Sequence, residues 1–163
     1  MLLNLREVIE LPGGKVSFEY EPDMSEAIGG SIAGFRENAR AAGSVANNAG
    51  MLTFSCKIDT VCICVCARCL KEFEYPVHKT VTANITESGV GENPDGYFLS
   101  GDGIDATEII VTEFILDMSD KLLCRDDCAG LCQKCGADLN SGVCDCPKDI
   151  DPRLAVLGQL LDD

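Results

Sequence analysis

Eight of the eleven cysteines stand at spacings suited to a metal ion. Cys132-Gln133-Lys134-Cys135-Gly136 has the form of a zinc knuckle. The two-residue gap lets both sulfurs reach one ion, and the glycine permits the backbone turn that aims amides at the thiolates. Cys144-Asp145-Cys146 follows after eight intervening residues and can complete a tetrahedral four-cysteine set, its CxC half being tighter than the usual CxxC. Cys124 and Cys128 precede this set, and Cys66 and Cys69 form a further CxxC. Those four together make a second four-cysteine site that staples two distant parts of the chain. Two other arrangements stay open: Cys66 and Cys69 as buried or turn thiols beside a single ion in the tail, and exchange of Cys124 or Cys128 into the first set.

Closed four-thiolate sites are structural, whereas catalytic zinc keeps an open position and typically uses histidine. His78 is the sole histidine, and its place between Val77 and Lys79 in a strand pattern reads as an ordinary surface residue. The acid pairs Asp126-Asp127 and Asp162-Asp163 read as solvated charge, and nothing assembles a nucleophile with a base. The chain is therefore not expected to be an enzyme. A thioredoxin-like role for Cys66 and Cys69 is disfavoured because their motif ends a strand rather than opening a helix, so no helix dipole lowers a thiol pKa. An iron-carrying electron-transfer site is a further reading, separable by colour and redox activity. Cys56, Cys62 and Cys64 share a strand face with Leu52, Phe54 and Ile58, where free cysteine acts as a small hydrophobe.

The elements that must position these thiols are legible mainly after Met51. Leu52, Phe54, Cys56 and Ile58 alternate with polar residues, the period of a half-buried strand. The even positions continue through Thr60, Cys62, Cys64 and Cys66 while Val61, Ile63 and Val65 make the odd face apolar, which predicts a second half covered on both sides. Beyond Cys69 the pattern restarts at Phe73, Tyr75, Val77, Val81, Ala83 and Ile85, so a β-hairpin carries Cys66 and Cys69 at its tip. Before it, Val16–Tyr20, Ser31–Phe35 and Ser44–Asn47 read as short strands, broken by Gly29-Gly30 and turned near Asn48-Ala49-Gly50. Glu87–Gly103 reads as mostly loop. Asp105 is a helix N-cap with Glu108 at the capping-box position, and Ile110, Phe114 and Met118 follow at helical spacing beside Val111, Ile115 and Leu122. Residues 124–146 show almost no apolar periodicity, so metal must supply their order. Asp151-Pro152 opens a short final helix with Leu154, Leu157 and Leu161 as its stripe.

At 163 residues the chain suits one sizeable domain, or a domain with a small appendage. No stretch approaches the roughly 18–20 apolar residues of a membrane helix. Met1–Arg6 lacks the basic start and apolar run of a secretory signal. An odd cysteine count fits poorly with a disulfide framework. Together these predict a cytoplasmic protein with no membrane contact. The net charge of −14 is uneven: residues 1–91 hold eleven acids against eight bases, residues 92–163 sixteen against five. A broad nucleic-acid footprint needs clustered Lys and Arg, and the balance points instead to a soluble acidic surface or a basic partner.

One family gathers these features. Cys66-Ala67-Arg68-Cys69-Leu70-Lys71-Glu72-Phe73, then Cys124-x3-Cys128-Ala129-Gly130-Leu131-Cys132-x2-Cys135-Gly136-Ala137-Asp138-Leu139-Asn140, Cys144-x-Cys146 and Asp151-Pro152-Arg153-Leu154-Ala155, resemble the YceD family of large ribosomal RNA subunit accumulation proteins. The likeness runs from about Cys66 to Leu161. It implies a bacterial cytoplasmic factor needed for accumulation of large-subunit ribosomal RNA, with no enzymatic activity to carry over. It also implies a ribosomal protein or a large-subunit assembly intermediate as partner. A basic ribosomal protein held by the acidic tail, with Asp126 and Asp127 as candidate contacts, is the first reading. A zinc-dependent RNA-binding module touching phosphate through Arg68, Lys71 and Lys79 is the alternative. The expected fold is α+β. Residues 1–123 form an antiparallel β-meander or small barrel-like sheet with a packed helix and a CxxC-tipped hairpin. Residues 124–163 form a zinc-stabilised, cysteine-rich segment and a short helix.

Overall fold

The computed structural model describes residues 1–86, 96–119 and 121–146. Its elements in chain order are β1 (Leu2–Asn4), α1 (Arg6–Glu10), β2 (Lys15–Tyr20), a single 3-10 turn (Ser25–Ala27), β3 (Ile32–Phe35), β4 (Arg40–Asn48), β5 (Met51–Val65), β6 (Glu72–Thr86), β7 (Tyr97–Phe98), β8 (Gly103–Asp105) and α2 (Ala106–Asp117). Among the described residues the fold is mostly sheet with two helices.

The period-two pattern places β5 at the centre of the main sheet. Its even residues Leu52, Phe54, Cys56, Ile58, Thr60, Cys62 and Cys64 are all buried. The sheet runs β2-β4-β5-β6-β7, with β3 pairing the far half of β5 beyond β4. All pairs are antiparallel except β6 with β7. The consecutive strands β4, β5 and β6 are the expected meander. The barrel-like alternative does not form: the sheet is open between β2 and β7. Its inner face is filled by Ile109, Ile110 and Phe114 of α2 and by Leu3, Leu5 and Val8 of the N-terminal segment, all in one core with Phe54 and Ile58.

Several local expectations change. Val61, Ile63 and Val65 are only half-buried, because the buried residues of both helices join the core on the even face of β5. Tyr75 keeps the parity of Val77 yet is exposed. The third early strand begins at Arg40 rather than Ser44. Part of the expected loop is strand: β7 extends the sheet, and β8 pairs with β1 as Leu2 with Asp105 and Asn4 with Gly103. Residues 87–95 of that loop, and the final helix with Leu154, Leu157 and Leu161, lie outside the described residues.

Asp105 caps α2, its Oδ1 accepting the amide of Thr107 at 2.8 Å. Helix α1 has no such cap at Leu5. It is held by the buried amide of Asn47, whose Nδ2 donates to the carbonyls of Val8 and Ile9 at 2.9 and 3.2 Å while its Oδ1 accepts the amide of Gly50.

In the middle of β4, Gly43 sits between Phe18 on β2 and Cys56 on β5. The missing side chain makes room for Phe18 to stack on Phe54, ring centroids 5.4 Å apart. A Cβ on Gly43 would meet Cys56 Cα and Phe18 Cζ, each at 2.8 Å, and press on the carbonyl of Ser55. Gly43→Ala is therefore expected to lower the urea midpoint by the equivalent of about 1–3 kcal/mol, the cost of overpacking. Ala42→Ser, on the exposed side of the same strand, is expected to move it little.

Candidate metal centres

The cysteines meet in two sets of four, Cys66, Cys69, Cys124 and Cys128 in one and Cys132, Cys135, Cys144 and Cys146 in the other. Within each set the sulfurs all lie within 4.8 Å of one another. In the first set Cys66 Sγ is 3.8 Å from Cys128 Sγ, and Cys69 Sγ is 3.7 Å from Cys124 Sγ. Four thiolates about 2.3 Å from a tetrahedral ion stand about 3.8 Å apart, so the donor set fits a metal ion. All eleven cysteines are free.

The hairpin explains why Cys66 and Cys69 arrive together. The β5–β6 register carries Cys64 opposite Phe73 and Val65 opposite Glu72, leaving residues 66–71 as the tip. There the amide of Leu70 donates to the carbonyl of Cys66 at 3.0 Å and the amide of Cys66 to that of Lys71 at 2.9 Å. The tail repeats this turn: Gly136 donates to Cys132 at 2.9 Å, and Cys132 to Ala137 at 2.8 Å. In both knuckles the residue after the second cysteine has a left-handed backbone, φ 58° at Leu70 and 71° at Gly136.

The two sets differ in burial. Cys66, Cys69 and Cys128 are buried and form a small second core with Phe73, Leu123, Cys124 and Leu131. In the distal set Cys135 is exposed and the other three are half-buried. Electrostatics follow one plan in each. Burial works against a Cys66 thiolate, but the amides of Cys69, Cys124 and Arg68 outweigh it and bring the thiol down to about 6. Burial and then the thiols of Cys69, Cys66 and Cys128 hold Cys124 up to about 12. Distally, the amides of Cys135 and Lys134 and the Cys144 thiol bring Cys132 down to about 6. The Cys135 hydrogen bond, then desolvation, pushes Cys146 up to about 12. One thiol in each set is brought down and another held up, an arrangement in which a bound cation would favour ionisation of the remaining thiols.

Cys56, Cys62 and Cys64 stand apart from both sets in the main core, and burial raises all three thiols. His78 is exposed, its Nδ1 2.6 Å from Asp59 Oδ1. Asp126 and Asp127 lie on the exposed turn between Cys124 and Cys128, Asp127 reaching Arg125 at 3.2 Å. The three cations considered for phosphate each have a partner within the chain. Arg68 Nη1 donates to the carbonyl of Cys128 at 2.9 Å, Lys71 pairs with Asp138 at 2.5 Å, and Lys79 pairs with Asp117 beside the ring of Phe114. Asp138 and Asn140 are site residues that the spacing of the cysteines does not reveal. They bind across from the distal loop to Lys71, Arg125, Ala129 and Cys128. Their only sequence signal is their place in the Ala137–Asn140 motif.

The fold and site define a β-sheet protein with two cysteine sets able to hold metal, one shared by hairpin and tail and one within the tail. The family described as large ribosomal RNA subunit accumulation protein YceD matches residues 54–161, well over half the chain, and the chain belongs to that family. The description names large ribosomal RNA subunit accumulation, which supports a role in ribosome biogenesis. Uncharacterised proteins of Mycobacterium tuberculosis and Mycobacterium bovis are each 31% identical over 102 residues, 59% of this chain and 49% of theirs. The matched stretch thus spans about half the length of these relatives. No solved structure matches the chain. Among the described residues, no helix is long and apolar enough to cross a membrane.

Leu70 occupies in the hairpin knuckle the place that Gly136 fills in the tail, with its side chain 64% exposed. A left-handed conformation costs an L-residue about 1–2 kcal/mol, against about 0.5–1 kcal/mol of backbone entropy for glycine. Leu70→Gly is therefore expected to leave the four-cysteine set intact and to change stability between neutral and about 1.5 kcal/mol in favour of the variant. Thermal unfolding of the metal-loaded protein checks this. A clear loss of stability would mean that the exposed leucine contributes packing.

Proposed function

We propose that this chain is a cytoplasmic, non-catalytic ribosome-biogenesis factor that holds two structural zinc ions and acts through contacts with a basic ribosomal protein. The observation that carries the reading is the pair of four-cysteine sets, which ties a hairpin tip to a segment with few apolar side chains of its own. Zinc suits it best: four thiolates without histidine, in closed tetrahedral sets, are its usual structural environment. Each loaded set keeps two negative charges, and residues 92–163 already hold sixteen acids against five bases. That charge supports contact with a basic protein. Direct RNA binding is the weaker reading because Arg68, Lys71 and Lys79 are engaged within the chain.

Elemental analysis of natively purified protein is expected to find two zinc ions per chain. A chelator is expected to take them in two phases, the distal ion first, since none of its four ligands is buried whereas three of the hairpin set are. Single-phase release, or fewer than two ions, would count against two unequal structural sites.

The partner reading has its own test. Attraction between an acidic tail and a basic protein is long-range, and the Debye length falls from about 10 Å at 0.1 M salt to about 3 Å at 1 M. Association with purified basic ribosomal proteins is expected to slow steeply with salt. Asp126→Lys with Asp127→Lys is expected to weaken it several-fold without loss of zinc. Unchanged protein affinity together with tighter binding to large-subunit RNA would decide for the RNA module instead.

A further inference from the structure

The distal loop does more than surround its own cysteines. Asn140 lies between Cys135 and Cys144 in sequence, yet its side chain serves the hairpin set. Its Oδ1 accepts from the amide of Ala129 at 2.8 Å and from Arg125 Nη2 at 2.7 Å. Both partners are pure donors, which fixes the amide orientation and turns Nδ2 away from them. That Nδ2 donates to Cys128 Sγ at 3.5 Å and to Asp138 Oδ1 at 2.7 Å. Asp138 in turn accepts the Asn140 amide at 2.9 Å and pairs with Lys71 on the hairpin tip. The amide of Leu139 reaches the carbonyl of Gly130, and Leu131 bridges to Asp138. One asparagine of the distal loop thus touches a ligand of the other set, both flanks of that ligand and, through Asp138, the opposite strand connection.

Resting on the metal-binding reading above, we propose that Asn140 is a positioning residue for the hairpin site and couples the two sites. Metal at the distal set orders its loop, the ordered loop presents Nδ2 to Cys128, and the hydrogen bond holds Cys128 Sγ in place as a ligand. Groups that hydrogen-bond a metal ligand in this way typically change affinity about 10–100-fold when removed. Because coupling is reciprocal, metal in the hairpin set also strengthens the distal one.

Cobalt(II) is the probe, since its thiolate charge-transfer and ligand-field bands report tetrahedral four-thiolate binding directly, with a competing chelator to set the affinity scale. Asn140→Ala is expected to weaken cobalt at the hairpin set about 10–100-fold. Asn140→Asp is the second variant: a carboxylate still accepts from Ala129 and Arg125 but offers no N–H to Cys128 or to Asp138, so it too is expected to lose affinity at the hairpin set. Full affinity in Asn140→Asp would assign Asn140 a purely loop-holding role and overturn the proposal. Disabling the distal set with Cys135→Ser and Cys144→Ser is expected to weaken the hairpin set by a similar factor in the native background and by little more when Asn140 is already alanine. Two cobalt ions that bind the native chain with hairpin affinity indifferent to the distal set would refute the coupling while leaving metal binding standing. Absence of any tetrahedral cobalt spectrum in the native chain would sink the metal reading and this proposal together.

Discussion

The register of β5 against β6 is the constraint on which the C-terminal half of the molecule depends. From Leu52 opposite Ile85 to Val65 opposite Glu72 the pairing runs without a shift, and it is locked because one face of β5 is buried along its whole length. A slip of one residue would turn Phe54, Ile58, Cys62 and Cys64 outward at once. The same parity that buries Cys62 and Cys64 continues to Cys66, so the metal set begins where the hydrophobic face ends. Phe73 packs on both the main core and the cysteine core, and so joins sheet to site. The hairpin tip is then a fixed platform on which Cys124 and Cys128 must land.

What the sequence made legible was local, and what it hid was long-range. The alternation in β5, the cap at Asp105 and the knuckle at Cys132–Gly136 are all set by neighbours a few residues away, and each appears in the structure at its expected place. Helix α1 has five residues and no capping side chain, so its order comes from Asn47, far along the chain. The β1–β8 pair joins three residues at each end of a long stretch, too short a run to show a period. The start of β4, Arg40-Ala41-Ala42-Gly43, has little intrinsic strand preference. It is extended because Phe18 and Cys56 close over a glycine. Tyr75 follows the alternation but stands exposed, because parity settles which face a side chain takes and not whether anything covers it.

The candidate site divides along the same line. Ligand spacing within one CxxC or CxC pair is a local property and shows in the cysteines alone, whereas the meeting of Cys66 and Cys69 with Cys124 and Cys128 is long-range, and the spacing left it open beside two other arrangements. The residues that dock one group on the other do not show in the cysteines. Asp138 and Asn140 look like ordinary loop residues until Lys71, Arg125 and Cys128 are brought to them by the fold. Arg68 and Lys71 invite a phosphate reading in sequence, and the structure gives both an intramolecular partner.

Burial separates the two sets in a way that bears on how an acidic surface is built here. The hairpin set sits in a small core of its own, with Phe73, Leu123 and Leu131 around it, so packing and ligands share the work of ordering it. Among the described residues the distal set has no comparable cover, and Val143 beside it is 97% exposed. A loop of that kind gains little from the hydrophobic effect, so its conformational entropy is offset by the Asp138–Asn140 hydrogen bonds and, under the proposed reading, by metal. Under the proposed reading this has a consequence for binding. Asp126 and Asp127, on the turn between two ligands of the hairpin set, need not be ordered again by the partner once metal holds that turn, and the entropy cost of association falls accordingly. A flexible acidic tail of the same charge would attract a basic protein from the same distance, but it would pay that cost on contact and hold its partner less well.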